Sequence, residues 1–267
     1  MNFQPEHLVS IVTVSLNNRT GLEKTICSVI SQQNISFEYI VVDGSSNDGS
    51  ADVIKKYRHN LAAWLSEPDK GPYHAMNKGA GLAKGEWIIF LNAGDVFYER
   101  ECLSRMTRFL SDPAIDAIYG DSLADYGSFR IYRKAGPFRD IWKGMIFSHQ
   151  ALLIRLSLVK ESGFNTSLPK IADYDLVLRK LRDPARVAYK PVPLAICDAY
   201  GISAKGQAAI LRDYYHCSGK YFRIGFARKL YFLKTYIFLK IIDIIKKMIP
   251  ERTYYGITRL IRNKQIS

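Results

Sequence analysis

The sequence predicts an α/β fold, a mostly parallel central sheet with helices between its strands. Over the first hundred residues, short β-branched and apolar runs alternate with segments of helical periodicity. This alternation favours parallel pairing, because a helix returns the chain to the same end of the sheet before each new strand. One apolar run also leads directly into Asp43 and another into a polar turn that ends in Asp95. Ligands bind at the carboxyl ends of strands in such sheets. The sequence therefore predicts a ligand site together with the fold.

The first half of the sequence predicts a regular succession of elements. A β-branched run at 9–16 is typical of a strand, and Thr20 followed by Glu23 has the spacing of a capping box at a helix start. Pro72 suits the first turn of a later helix, where its missing N–H costs no hydrogen bond. Further strands are predicted at 37–42, 61–65 and 87–91, and a further helix at 51–57.

Beyond Asp95 the succession becomes less regular. The spacing of apolar residues predicts helices at 103–110 and 172–182. Extended segments are predicted at 116–119, 129–133, 151–154 and 187–196. A composition shift near Gly201 then marks the start of a basic, aromatic segment.

The positive charge is concentrated in that last segment. The 267 residues carry a net charge of +13, and residues 205–267 hold 14 Lys and Arg against three acidic residues. Within 237–249, apolar and charged positions take opposite arcs of a helical wheel. A basic amphipathic helix is typical of the surface of anionic membranes, although a helix packed on the protein's own core shows the same pattern. We expect membrane contact and no nucleic acid partner, since no nucleic-acid-binding module frames these residues.

Two features favour a cytoplasmic protein on the inner face of the cytoplasmic membrane. The first seven residues are polar, unlike a secretory leader, and no run approaches the ~20 apolar residues that span a bilayer. The four cysteines lack metal-ligand spacing, which favours reduced thiols. We therefore expect a peripheral attachment through the C-terminal helices.

Three motifs occur in a fixed order: 10–18 (Ser-Ile-Val-Thr-Val-Ser-Leu-Asn-Asn), 39–50 (Tyr-Ile-Val-Val-Asp-Gly-Ser-Ser-Asn-Asp-Gly-Ser), and the block 66–79 followed by 86–95, which ends in the turn Asn-Ala-Gly-Asp. Together they resemble the inverting family-2 glycosyltransferases of the GT-A fold, which use nucleotide sugars. The last block looks like the branch that builds bacterial exopolysaccharides and cell-surface glycans. The resemblance implies a GT-A domain over about 1–204, with a nucleotide-binding half at about 8–98 and an acceptor half at about 99–204. A helical tail at 205–267 follows it.

The resemblance implies a donor pocket at the first two strand ends. Asp43 would accept a hydrogen bond from the nucleobase, and Gly44 beside it lets the backbone approach a ligand closely. Ser15 and Asn17 would line the same pocket. The alternative for Asp43 is a residue that only stabilises an Asp-Gly-Ser turn.

Three more residues are implied in donor binding. Asp69 would contact the ribose or the donor sugar, and Lys70 precedes a helix whose N-terminus adds partial positive charge near anionic groups. His149 would contact the donor phosphates or the acceptor, although a lone histidine is more often structural.

Asp95 is the implied metal ligand. A departing diphosphate builds negative charge, which a bridging Mg²⁺ or Mn²⁺ offsets. Relatives in this family usually carry a pair of acids, Asp-x-Asp, in this turn. This chain reads Asn92-Ala93-Gly94-Asp95, so only one acid, Asp95, remains. Asn92 still offers a neutral oxygen to a metal ion. Alternatively, a protein cation such as Lys70 takes over part of the charge that the metal would supply. A turn acid that caps the next helix is the other interpretation of Asp95.

Asp173 is the implied general base, within a motif at 171–176 that resembles the acceptor-side acidic motif of the family. Inversion by single displacement requires one carboxylate near the acceptor hydroxyl. The alternative for Asp173 is a helix N-cap. Asp175, two residues further on, is expected to make structural contacts.

We therefore predict a hexosyltransferase that moves a sugar from a nucleotide sugar to a hydroxyl of a lipid-linked or glycan acceptor. A non-catalytic nucleotide-sugar or glycan-binding protein on the same fold is the first alternative, because the acid pair at the metal position is incomplete. A nucleotidyltransferase is the second, but it requires a glycine- and arginine-rich phosphate loop that 17–21 does not supply.

Overall fold

The computed structural model describes residues 8–201 and 206–248. The strands are β1 Val9–Ser15, β2 Phe37–Asp43, β3 Ala63–Ser66, β4 Trp87–Asn92, β5 Val96–Phe97, β6 Ala117–Asp125, β7 Arg130–Arg133, β8 Leu152–Arg155 and β9 Val187–Asp198. The helices are α1 Arg19–Ile30, α2 Ser50–Tyr57, α3 Pro72–Leu82, α4 Ser104–Leu110, α5 Leu156–Ser162, α6 Ala172–Lys180, α7 Gln207–Gly219 and α8 Phe226–Met248. Short 3₁₀ turns lie at Arg58–Asn60, Phe138–Lys143, His149–Ala151 and Pro184–Arg186.

One sheet runs through the molecule in the order β3-β2-β1-β4-β8-β6-β9-β5, with β7 paired to β6. The strands β3, β2, β1 and β4 are parallel, whereas β8 pairs antiparallel with both β4 and β6. In the parallel part Ser15 lies opposite Asp43, and Val14 lies opposite Asn92. The polar residues at the ends of three strands therefore meet at one edge, as the α/β prediction requires.

The central strands β1, β2 and β4 are buried on both faces. One face packs against α3, α5, α6 and α7, and its cluster includes Ile40, Met76 and Tyr174. The opposite face packs against α1, α2 and α4, and includes Leu22 and Trp87. This burial on both faces explains why the parallel strands are nearly continuous in apolar residues rather than alternating.

The predicted capping box at Thr20 and Glu23 is wrong. Helix α1 begins at Arg19, and the Asn18 side chain caps it by accepting a hydrogen bond from the Gly21 N–H at 3.0 Å. Glu23 instead forms an ion pair with Lys56 at 2.7 Å. The Asn18 amide also donates to the Ala93 carbonyl at 2.9 Å, so the same residue fixes the turn that follows β4.

The two C-terminal helices make different contacts. Helix α7 packs into the core, where Ile210 and Cys217 join the cluster around Tyr174. Helix α8 packs through Phe232, which is 5% exposed, while its outer face is apolar and open to solvent. The amphipathic pattern predicted at 237–249 is thus helical as far as Met248. Among the residues described, no helix is long and apolar enough to cross a membrane. The proposed boundary at residue 204 stays a prediction.

Candidate active site

A cavity of about 900 Å³ opens where the carboxyl ends of β1 and β4 meet the acceptor half of the chain. Six of the residues predicted for the site line it: Ser15, Asp69, Asn92, Asp95, His149 and Asp173. They come from β1, β4, the turn between β4 and β5, the loop before α3, the 3₁₀ turn at His149–Ala151 and the first turn of α6. The fold therefore gathers residues that are up to 158 positions apart in sequence into one site.

Asp173 is held by two side chains at the centre of this cavity. The Tyr73 hydroxyl donates to Asp173 Oδ1 at 2.8 Å, and His149 Nδ1 lies 3.2 Å from Asp173 Oδ2. Burial raises the pKa of Asp173, but the hydrogen bond and charge of His149, together with the Tyr73 hydroxyl, bring that pKa below its usual value. The carboxyl is therefore ionised and oriented, as a proton acceptor must be.

His149 lies between Asp173 and the carboxyl end of β4. Its Nε2 lies 3.4 Å from the Asn92 amide nitrogen, while its Nδ1 faces Asp173. Burial lowers the pKa of His149, but the Asp173 hydrogen bond and the charges of Asp173 and Asp95 raise it above its usual value. The imidazole thus couples the implied base to the end of β4.

We expect Tyr73→Phe to move the acidic limb of the pH profile of kcat/KM to higher pH. The Tyr73 hydrogen bond lowers the pKa of Asp173, so its loss raises that pKa and the carboxylate becomes protonated at a higher pH. Loss of one hydrogen bond to a charged group also predicts a kcat/KM lower by about tenfold. Tyr57→Phe is the control, because its hydroxyl bonds Glu23 outside the cavity. An unshifted limb in Tyr73→Phe would contradict a role for this bond in ionising Asp173.

Asp95 lines the cavity but is only 4% exposed. Its Oδ1 accepts from the Asp198 N–H at 3.0 Å, and its Oδ2 accepts from Gln150 Nε2 at 2.8 Å and from the Asn92 N–H at 3.2 Å. Burial raises the pKa of Asp95, and the bonds from Gln150 and Asp198 lower it in part. This carboxylate joins the ends of β4 and β9 and the turn that carries His149.

The residues at this edge fit a divalent cation that is held mainly by its substrate. A carboxylate has about four lone-pair directions, and Asp95 uses three of them on protein donors. The Asn92 amide oxygen is buried without a hydrogen-bond partner. Within 8–201 and 206–248, no three His, Cys, Asp or Glu side chains group to form a protein-only metal site. Mg²⁺ commonly binds through one or two protein oxygens plus substrate phosphates, and Asp95 with Asn92 could supply those.

Two residues with predicted roles in donor binding also border the cavity. Asp69 Oδ1 accepts from the Gly71 N–H at 2.8 Å, at the start of α3. A Cβ on Gly44 would lie 2.6 Å from Asp69 Oδ2, so a larger residue there would displace the Asp69 side chain. The Ser15 hydroxyl is buried without a hydrogen-bond partner at the end of β1. Both groups are placed to meet a polar ligand.

Three other predicted residues lie outside the cavity lining. Asp43 is fully buried and accepts from the Ser46 N–H and the Ser66 hydroxyl. Asn17 accepts from the Asn47 N–H at 3.0 Å, and the exposed Lys70 donates its backbone N–H to His74. Their roles in donor binding stay predictions.

Sequence reasoning missed several residues that shape the site. Gln150 and Asp198 bond Asp95, and Asn18 replaces Asn17 at the cavity wall. Tyr73, which bonds Asp173, has no predicted role in the site. Its position directly after Pro72 in the block 66–79 was the available signal.

The two acids of the 171–176 motif point in different directions, as expected. Asp175 is 3% exposed and bonds Arg179 Nε at 2.7 Å, one turn along α6. Arg179 extends this contact to the Gly163 carbonyl at 2.7 Å. Asp175 thus fastens α6 to the end of α5, while Asp173 faces the cavity.

Solved structures identify the fold of this chain. Mannosyltransferase PcManGT from Pyrobaculum calidifontis, in complex with GDP-Man and Mn²⁺, matches 83% of this chain and 66% of its own at 18% identity, with a TM-score of 0.65. S. aureus TarS 1–349 in complex with UDP-GlcNAc matches 71% of this chain at 18% identity, with a TM-score of 0.60. The chain spans 38% to 64% of the first TarS chains that it matches. The predicted GT-A fold is confirmed.

Sequence relatives identify the family to which the chain belongs. A "PGL/p-HBAD biosynthesis glycosyltransferase" of Mycobacterium bovis is 32% identical over 200 residues, which cover 73% of this chain and 78% of the relative. An uncharacterized glycosyltransferase of Haemophilus influenzae is 24% identical over 71% of this chain and 68% of its own. The family model "Glycosyl transferase family 2" matches residues 10–175, and the chain belongs to this family. The prediction of a glycosyltransferase is confirmed.

Proposed function

We propose that this enzyme transfers a sugar, with inversion, from a nucleotide-diphosphate sugar to a hydroxyl of a lipid-linked or glycan acceptor in surface polysaccharide synthesis. The observation that carries the proposal is Asp173, an ionised carboxylate held by Tyr73 and His149 within the cavity. Single displacement requires one such base and no second carboxylate as nucleophile. Two observations support a nucleotide sugar as donor. The chain belongs to glycosyltransferase family 2, and proteins of similar fold have been solved in complex with GDP-Man and with UDP-GlcNAc.

The donor end of the cavity offers groups for each part of a nucleotide sugar. Asp69 and Ser15 present polar atoms at the ends of β3 and β1, where the ribose and base would lie. The N-terminus of α3, at Pro72, adds partial positive charge beside them. Asp173 then takes the proton from the acceptor hydroxyl as the new glycosidic bond forms and the nucleoside diphosphate leaves.

We propose that Asp95 and Asn92 hold a divalent cation, Mn²⁺ or Mg²⁺, together with the donor diphosphate. When bound, such a cation offsets the charge of the leaving diphosphate. The free lone pair of Asp95 and the unpartnered Asn92 oxygen support this placement. His149, close to Asn92, is oriented by Asp173 toward the same phosphates.

A binding screen followed by a turnover assay tests the function. UDP-, GDP- and dTDP-sugars, each with Mn²⁺ and with EDTA, should include one donor that raises the unfolding midpoint. That donor should then release its nucleoside diphosphate when an acceptor is added, with inversion at the anomeric carbon seen by NMR. If no nucleotide sugar binds, the donor class is wrong.

A non-catalytic binding protein remains the alternative, because Asp95 already bonds three protein donors and the second acid of the motif is absent. Under that alternative a nucleotide sugar binds but is not consumed with any acceptor. The ionised Asp173 favours the enzyme, since a binding protein gains little from a buried, oriented base.

We further propose that the enzyme works on the inner face of the cytoplasmic membrane, attached peripherally through α8. The outer face of α8 is apolar. Seven large apolar side chains on it are between 49% and 82% exposed: Phe226, Leu233, Ile237, Phe238, Ile241, Ile244 and Met248. Lys229, Lys234 and Lys240 are exposed along the same helix. Apolar and cationic residues together suit an anionic bilayer surface. The four cysteines are free in the structure.

We expect Phe238→Glu combined with Ile241→Glu to weaken binding to anionic vesicles by about tenfold or more, because two apolar side chains no longer enter the interface and two negative charges are added. Binding of the parent protein should also weaken as salt rises. Vesicle sedimentation measures both effects. Trp64→Glu, which changes an exposed aromatic residue on the edge strand β3, is the control. Equal binding of all proteins would contradict the role of α8.

A further inference from the structure

The acceptor end of the cavity differs chemically from the donor end. Side chains from three segments form one surface there, which we call the apolar wall: Met145, Ile146, Ile210, Leu211, Tyr214 and Leu239. The first two belong to the loop after the 3₁₀ turn at Phe138–Lys143, the next three to α7, and the last to α8. Nothing in the proposed reaction on the donor requires an apolar surface.

The apolar wall lies beside the proposed base. The ring of Tyr214 is 4.7 Å from that of Tyr174, the residue after Asp173. Tyr214 and Asp173 line the same cavity. Burial raises the pKa of Tyr214, and the charge of Asp173 raises it further. A Cβ on Gly144 would lie 2.5 Å from the Tyr214 ring, so a glycine is needed for the loop to lie on this ring. The wall is thus built against the site of proton transfer.

The wall suits a hydrocarbon better than a sugar. The hydroxyls of a buried sugar each need a hydrogen-bond partner, and unpaired ones are costly. Among the six side chains only Tyr214 carries a hydroxyl. The nearby Lys143 is paired with Asp140 at 2.8 Å. An apolar group against this surface leaves no such group unpaired and loses contact with water.

The wall shares helix α8 with the face that is proposed to meet the membrane. Leu239 lines the cavity, whereas its neighbours Phe238 and Ile241 are exposed on the face proposed to meet the membrane. The same helix thus contributes one leucine to the cavity and a separate exposed face to solvent.

We propose that the apolar wall binds the apolar aglycone of the acceptor, an alkyl or aryl group carried next to the hydroxyl that reacts. This inference rests on the proposed function and narrows its acceptor. The enzyme would act on a sugar or hydroxyl attached directly to a lipid or aromatic group, rather than on an inner residue of a long glycan.

Calorimetric binding of methyl, n-heptyl and phenyl β-D-glucosides, below micelle-forming concentrations, tests this inference without turnover. The heptyl or the phenyl glucoside should bind about tenfold more tightly than the methyl glucoside, as burial of several CH₂ groups predicts. A preference for heptyl indicates a lipid chain, and a preference for phenyl indicates an aryl group. Equal affinity for all three would overturn the proposal.

Matched leucines on α8 locate the binding surface. Leu239→Ser should reduce the preference about threefold or more, whereas Leu233→Ser, on the outer face at 55% exposure, should leave it unchanged. Ile146→Ser is the second wall variant and decides the matter if Leu239→Ser does not fold. A preference that falls as much in Leu233→Ser as in the wall variants overturns the proposal, because the alkyl group then binds the outer face. Failure of the proposed function would appear separately, as donor that is never consumed.

Discussion

Asp173→Asn should lower kcat by about 10²- to 10⁴-fold while the affinity for the nucleotide sugar stays within a few fold, because a positioned general base contributes on that scale. The asparagine keeps the shape of the side chain and its bond from Tyr73, but it cannot take a proton. The transfer step then loses its base, whereas the donor contacts at β1 and β4 are unchanged. Single-turnover kinetics with saturating donor, together with calorimetric donor binding, measures the two effects separately.

Asp175→Asn is the matched control, since the same substitution is made two residues away in the same helix. Asp175 is buried and paired with Arg179, so its loss should lower the free energy of unfolding by about 2–3 kcal/mol. The kcat of the folded protein should stay within about threefold, because Asp175 does not line the cavity. If donor affinity collapses in Asp173→Asn, the residue binds the donor and the base lies elsewhere. If Asp175→Asn lowers kcat as much as Asp173→Asn does, the loss of activity reflects the stability of α6 and not a missing base.

The parallel half of the fold was predictable because its signals are local. A buried strand, a polar turn and a helix follow each other within about 20 residues, and parallel pairing then brings the strand ends to one edge. Asn92 and Asp95 could therefore be placed beside Ser15 from the sequence pattern. Whether each side chain turns toward the cavity is not a local property. Asp43 bonds Ser46 and Ser66 instead of lining it.

The second half was less predictable because its contacts join distant segments. Tyr73 and Asp173 are 100 residues apart, and Gln150 meets Asp95 across 55 residues. No pattern along the chain marks either bond, since both depend on how β8 and β9 enter the sheet. The apolar residues of α7 are typical of any packed helix, so the sequence could not show that they also form a cavity wall.

Asp95→Asn should remove the part of donor binding that depends on a divalent cation, a loss of about 10- to 100-fold in donor affinity with Mn²⁺. The substitution takes away the one carboxylate at the end of β4, where the diphosphate charge would be offset. It also weakens the bonds from Gln150 and the Asp198 N–H, so the free energy of unfolding should fall by about 2–4 kcal/mol. Calorimetric titration of donor with Mn²⁺ and with EDTA, and denaturant unfolding, measure the two effects.

Asp121→Asn separates these effects, because Asp121 is a second buried aspartate with three protein donors. It is 1% exposed and accepts from the Ala135 N–H at 2.8 Å, from the Tyr189 hydroxyl at 2.9 Å and from the Tyr132 hydroxyl. It does not line the cavity. A similar loss of stability in both variants, with loss of Mn²⁺-dependent donor binding only in Asp95→Asn, would support the metal role. The metal role would be contradicted if Asp95→Asn bound the donor with full affinity, equally in Mn²⁺ and in EDTA. Asp95 would then have only a structural role, like Asp121, and protein cations would offset the diphosphate charge.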